Sequence, residues 1–437
     1  MHPSLLQALG FLLLGIGLIV LLTVRFRVHA FFALLIACFV VGLGMGMPLG
    51  TIVSTAKDGF GNIMKSLGFI IVLGTTLGAI LERTGSTAVM AEVILRITGQ
   101  TRAAMAMALT GFVVGLPIFC DSGFIVLSGL NKSLARRSGV PMAYMAAALA
   151  GGLYGLHCLI PPHPGAAAAA ALIGVDYGRL ILTGIGVAIP ATVAGHLWAR
   201  WATRGMKGDF AGREKSFVGQ EENGAHGRGE GESVMNVNTS KQIWAFVPVV
   251  VPIALIAFID PVIALMVGVV LALVGARSGT GKDIWGTVMR EGVEKAGGIL
   301  VIIGAGGAFG AILTAGEIGE LLSEHLPLAG MGLVFPFLLT ATLKTAQGSS
   351  TVAIITAASI VKPVLATLGL ATGNGPLYCI LAMGAGSMML SHANDAYFWV
   401  IARFSGLDLK TMLRVYTVST LIMGLTAFAV VYILFVI

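Results

Sequence analysis

Pro117-Ile118-Phe119-Cys120-Asp121-Ser122-Gly123 sits in the middle of residues 103–131, a stretch otherwise apolar enough to lie in a bilayer. A proline, a carboxylate and a glycine so close together break a helix at membrane depth. Backbone N–H and C=O groups find no water there, so a break is tolerated only where protein covers it or it lines a polar cavity. The pattern recurs three times. Gln347-Gly348-Ser349-Ser350-Thr351 interrupts residues 329–361, Pro161-Pro162-His163-Pro164-Gly165 interrupts 141–175, and Ser391-His392-Ala393-Asn394-Asp395 interrupts 374–405. Residues 103–131 and 329–361 are each long enough to enter, turn and leave on one side, as re-entrant hairpins. Residues 141–175 and 374–405 read as broken helices that cross.

What surrounds these breaks fixes the class. The chain has 437 residues, of which 57% are hydrophobic and 11% charged, against roughly 25% charge in soluble domains. Mean hydropathy is +0.94 over the whole length. At ~20 apolar residues per crossing there is room for roughly ten or more spans. Apolar runs at 5–24, 30–48, 67–82, 178–199, 243–259, 261–276, 297–315 and 415–437 read as ordinary spanning helices. The expected fold is an all-α polytopic membrane protein. A membrane β-barrel would alternate polar and apolar residues, whereas Phe11 to Val24 is apolar apart from Thr23. The first segment lacks a basic leader and a small-residue cleavage site, so it reads as a retained helix.

Several function classes fall away on the same grounds. A net charge of +7 is compatible with nucleic-acid binding, but membrane topology accounts for the basic excess and no nucleic-acid partner is expected. Cys38, Cys120, Cys158 and Cys379 lie singly without CxxC spacing, which argues against disulfides and thiolate metal sites. No Gly-x-x-x-x-Gly-Lys-[Ser/Thr] occurs, and Gly304-Ala305-Gly306-Gly307 lies inside an apolar helix, so nucleotide-driven pumping is not expected. Neither metal nor cofactor is expected, and no enzyme.

Lys and Arg collect in cytoplasmic loops, and this tests the hairpins. With the amino terminus outside and both hairpins non-crossing, only Lys57, Lys65, Arg179 and Lys362 fall outside, while Lys344 lies within the membrane. The other Lys and Arg gather inside. Both termini are then outside. Residues 202–241, polar and of mixed charge, read as a flexible cytoplasmic linker between an amino-terminal repeat (1–201) and a carboxy-terminal repeat (242–437). The halves resemble each other: Gly74-x-x-x-Gly78-Ala79-Ile80-Leu81 matches Gly306-x-x-x-Gly310-Ala311-Ile312-Leu313, and a hairpin and a broken helix follow in both. Five crossings per half make the second copy inverted. Inverted repeats with discontinuous helices place their ligand site where the breaks meet near the midplane, so the expected function is secondary transport.

The polar residues at the breaks are the candidate site. Asp121, with Ser122 and Gly123, is a carboxylate at a costly depth, either a protonatable or hydroxyl-binding group or an N-cap of the returning arm. Lys344 pairs with Asp121 or Asp395, holds a substrate anion, or snorkels. Gln347, Gly348, Ser349, Ser350 and Thr351 offer hydroxyls and N–H donors around a glycine. His157 and His163 flank Pro161-Pro162 at a spacing unlike a zinc pair and are candidate proton or substrate contacts. Ser391, His392, Asn394 and Asp395 form the corresponding break of the other half, with a structural His–Asp pair as the alternative. Glu82-Arg83 and Glu92-Arg96 read as interfacial ion pairs, and Glu317, Glu320 and Glu324 as a solvated face.

Gly115-Leu116-Pro117-Ile118-Phe119-Cys120-Asp121-Ser122-Gly123-Phe124 and His157-Cys158-Leu159-Ile160-Pro161-Pro162-His163-Pro164-Gly165 make the chain resemble the gluconate:proton symporter (gluconate permease, GntP) family over nearly its whole length. Gln347 to Thr351 and Ser391 to Asp395 are similar to that family's other recurrent stretches. The resemblance implies proton-driven uptake of gluconate or another small hydroxylated carboxylate in the bacterial cytoplasmic (inner) membrane. It also implies an elevator-type architecture and a homodimer. The alanine run Ala166 to Ala171 and Ala396-Tyr397 depart from the family's pattern. A sodium-coupled carboxylate or D-serine-type symporter is the near alternative; a passive anion channel and a membrane hydrolase are more distant ones.

Overall fold

The computed structural model describes residues 5–99, 102–206, 239–256, 258–276, 284–318 and 330–437, which are helices and the turns between them. The first half comprises α1 (Leu5–Val20), α2 (Ala30–Gly44), α3 (Leu49–Arg83), α4 (Ser86–Thr98), α5 (Ala103–Val114), α6 (Cys120–Ser138), α7 (Met142–Leu159), α8 (Pro164–Ile173) and α9 (Tyr177–Ala202). The second comprises α10 (Thr239–Ile256), α11 (Pro261–Ala276), α12 (Ile284–Ala315), α13 (Val334–Gln347), α14 (Ser350–Val361), α15 (Gly375–Met388) and α16 (Ala396–Ser405), closed by α17 (Leu409–Val436). Among the described residues six helices are long and apolar enough to cross a membrane. The fold is all-helical and polytopic. Residues 207–238 of the expected linker, and Glu320 and Glu324, lie outside the described residues.

Apolar runs alone placed some helix starts too late. The run at 67–82 is the end of α3, a helix of 35 residues. Its first half is amphipathic, so hydropathy overlooks it. Ile52, Ala56, Gly59, Ile63, Leu67 and Ile70 form a buried stripe at the 3.6-residue period, while Lys57, Asp58 and Lys65 are exposed. The run at 297–315 likewise belongs to α12, which begins at Ile284. At 1.5 Å per residue α3 is about 50 Å long, well beyond the ~30 Å hydrocarbon core.

Helix neighbours repeat with the halves exchanged. α3 lies along α12, α2 packs on α12, and α11 packs on α3. In the first half α7 packs between α5 and α9; in the second, α15 packs between α13 and α17. α7 and α15 are buried almost throughout. Peripheral helices turn apolar side chains outward instead. Leu182, Ile189, Val193 and Leu197 of α9, and Ile263, Met266, Val270 and Val274 of α11, are all exposed. Such stripes suit lipid, where no polar face is needed.

All four breaks are present as non-helical backbone. α5 gives way to α6 across residues 115–119, α7 to α8 across 160–163, α13 to α14 across 348–349, and α15 to α16 across 389–395. The paired glycine motifs seat them against the two long helices. A side chain at Gly74 would meet Pro162, and one at Gly78 the Pro117 carbonyl. Gly306 and Gly310 face Ile355 and Ser359 of α14, where the Ser359 hydroxyl donates to the Gly306 carbonyl at 2.8 Å.

Candidate functional site

The four breaks meet at one cavity of about 570 Å³, within the range of roughly 300–1,000 Å³ usual for small-molecule sites. The first break contributes Phe119, Cys120, Asp121 and Ser122; the second, His157 and Pro164 beside it. Gln347, Gly348, Ser349, Ser350 and Thr351 come from the third, and Asn394, Asp395, Ala396 and Tyr397 from the fourth. Two helix N-termini, those of α6 and α14, therefore open onto the same space, with α16 beginning at its edge. Each presents backbone N–H groups that lack intrahelical partners.

Asp121 is the second residue of α6, whose N-cap is Phe119 with no side-chain capping bond. The N-cap reading of Asp121 therefore does not hold. Its side chain is exposed to the cavity, and among the described residues its one hydrogen-bond contact is the Cys120 thiol at 4.0 Å. The opposite wall is different. Lys344 is 1% exposed. Its ammonium donates to Asp395 Oδ2 at 2.7 Å and to the Gly348 carbonyl. Ser391 donates to the same carboxylate oxygen, and Asp395 Oδ1 caps α16 by accepting from the Tyr397 N–H at 3.0 Å. Of the two partners sequence left open for Lys344, Asp395 is the one it takes. Gly348 has a φ of +81°, and a β-carbon there would run into the Asn394 carbonyl. Only glycine fits that junction.

The histidines divide. His157 lines the cavity, whereas His163 is buried, its Nε2 at 2.8 Å from the Gly115 carbonyl. His392 Nε2 approaches the Thr345 carbonyl at 3.2 Å, so the alternative of a structural His392–Asp395 pair does not hold, and Asp395 pairs with Lys344. Asn394 also ties the third and fourth breaks, donating to Thr345 O at 2.7 Å. Gly123 lies outside the cavity lining, against Leu153. Ser349 caps α14 through the Val352 N–H at 3.3 Å. Among the described residues the Gln347 amide, Asn394 Oδ1 and His157 Nδ1 are buried without a partner. Buried polar atoms are rarely left so, and these three belong to cavity-lining residues.

Sequence reasoning missed Lys295. The charge count groups it with the cytoplasmic residues and assigns it no role in the site; Lys295, Ile299 and Ile302 all line the cavity, on one face of α12 at spacings of four and three. That face carried the signal: a cation in register with two apolar wall residues. Lys295 pairs with Glu82 of α3 at 3.2 Å, and Arg83 pairs with Glu291, so Glu82 and Arg83 each bridge to α12. Glu92–Arg96 is an i,i+4 pair at 2.6 Å. The lining Lys295 and the buried Lys344, which stands behind Asp395, differ in energetic standing. Lys295 and Glu82 side chains are 38% and 28% exposed, and such pairs contribute about 0–1 kcal/mol. Breaking a buried pair such as Lys344–Asp395 by removing one partner costs about 3–5 kcal/mol.

Among the described residues no group of His, Cys, Asp and Glu is arranged to hold a metal. The family model for the GntP family permease matches residues 7–437. A gluconate permease of Pseudomonas aeruginosa is 33% identical, over 96% of this chain and 95% of its own. The Gnt-II system L-idonate transporter of Escherichia coli is 30% identical, over 94% and 96%. The crystal structure of the Alcanivorax borkumensis YdaH transporter shares the fold with a TM-score of 0.58 over 86% of each chain, at 17% identity. With its helices, its cavity and these relatives together, the chain belongs to the GntP permease family and is a transporter, not an enzyme.

Proposed function

We propose that this permease carries gluconate, or a related small hydroxylated carboxylate, into the cell together with protons. The observation that carries the reading is the meeting of four helix breaks at a single cavity of mixed charge. The relatives named for gluconate and idonate support the substrate class. The N–H groups opening α14, with Ser349, Ser350 and Thr351, hold the carboxylate. Asp121, Ser122, Gln347, Asn394 and His157 meet the hydroxyls; His163, Gly123 and His392 position the breaks around them.

Asp121 carries the proton. It is the lining carboxylate without a cationic partner, whereas Asp395 is neutralised by Lys344. Lys344 also supports protons over sodium. Its ammonium fills the corner between the Gly348 carbonyl and Asp395, the kind of carbonyl-and-carboxylate corner that a coupling cation uses in discontinuous-helix transporters.

The exchange of neighbours between α2–α12 and α11–α3 supports two inverted repeats, 1–201 and 242–437, joined by a cytoplasmic linker at 202–241. On this reading both termini face outward in the inner membrane. α3 and α12 form the frame, and the break-bearing helices move as an elevator within a homodimer.

Proteoliposome uptake of labelled gluconate tests it. A pH gradient, acid outside, should sustain accumulation of about tenfold per pH unit for each coupled proton, and an inside-negative potential adds to it only when protons outnumber the single negative charge of gluconate. Sodium should not alter it and a protonophore should abolish it. Asp121→Asn should still bind gluconate but not concentrate it. Accumulation that follows a sodium gradient, or survives the protonophore, would overturn the coupling.

A further inference from the structure

We propose that Lys295 is the residue that selects the carboxylate of the transported acid at the cytoplasmic side of the cavity, accepting it in exchange for Glu82. The proposal rests on the sugar-acid reading above and adds a residue that reading did not contain. Asp121 and Asp395 are the two acids of the cavity wall, and among the described lining residues Lys295 is the one cation. Lys344 cannot serve an incoming anion. Its ammonium is buried and shared between Asp395 and the Gly348 carbonyl. Without Lys295, an entering carboxylate would meet a wall whose accessible charge is negative.

Geometry makes Lys295 exchangeable. Its stem lies on the α12 face that also presents Ile299 and Ile302 to the cavity, so the ammonium is held at the wall. Its partner Glu82, 3.2 Å away, sits in a small adjoining slot bordered by Thr75, Ser122 and Lys295. Ser122 and Lys295 border both spaces. A half-exposed pair opens readily because water competes for both ions. The ammonium keeps one carboxylate partner throughout, and the displaced Glu82, 28% exposed, turns to water. The α3–α12 frame would then hand the substrate to, or take it from, the helix ends that bind it.

Binding of gluconate and its neutral amide, gluconamide, to the full-length protein purified in detergent provides the test. Lys295→Met should weaken gluconate binding about tenfold, the scale of one charge-assisted contact, and leave gluconamide unchanged. Lys295→Arg should keep the preference for the acid. Glu82→Gln should tighten gluconate binding severalfold, because it removes the internal competitor. A pair that merely fastens α3 to α12 predicts the opposite pattern: both neutral variants shift in one direction and affect acid and amide alike. That result, or an intact acid preference in Lys295→Met, would overturn the proposal. Melting temperatures near the parent's are expected, since both side chains are partly exposed. A parent protein that binds no sugar acid would instead remove the substrate reading, and this proposal with it. Gluconate binding by the parent with unchanged variants would remove only the role of Lys295.

Discussion

The two halves close their breaks by the same device and with different chemistry. In the first, His163 reaches back to the Gly115 carbonyl at the end of α5. In the second, Lys344, itself anchored by Asp395, reaches the Gly348 carbonyl at the end of α13. Each ties a carbonyl exposed where a helix stops, one of the groups that hydrocarbon cannot satisfy. The first half does this without committing a carboxylate, and Asp121 remains open to the cavity. The second half locks its carboxylate into an ion pair. One half therefore supplies a titratable group and the other a fixed, neutralised wall.

Four variants break or sharpen this contrast. Lys344→Met leaves Asp395 buried and uncompensated and should cost about 3–5 kcal/mol, read as a large fall in melting temperature. Lys344→Met combined with Asp395→Asn should recover much of it, because the amide can keep the cap on Tyr397. If the double variant is no better than the single one, the pair is not the fixed wall described here. His163→Leu orphans only the Gly115 carbonyl and should cost about 1–3 kcal/mol. Equal melting of His163→Leu and Lys344→Met would erase the asymmetry between the halves. Glu291→Gln, which removes the exposed partner of Arg83, should change stability by no more than ~1 kcal/mol and sets the floor of the same measurement.

Much of this was legible in the chain. The four interruptions were readable because Pro117, Pro161-Pro162 and Gly348 locally disfavour a continued helix, and Asp395 caps the start of the next one. Helix starts in α3 and α12 were not readable from hydropathy, because their first turns are amphipathic and bury only one stripe. The partner of Lys344 was one of two carboxylates until the approach of α16 to α13 decided it. Lys295 escaped because its position along the chain suggests a loop charge, while its place on the α12 face makes it cavity wall.

The sequence by itself determined that the protein is a helical membrane permease whose helices are interrupted at four places. Composition and helix-breaking residues act locally and need no partner to be read. Only the tertiary structure decided that the breaks share one cavity, that Lys344 answers Asp395, and that Lys295 with Glu82 stands beside the site. Those contacts join residues 51 and 213 positions apart, and such pairings are set by how whole helices pack against one another.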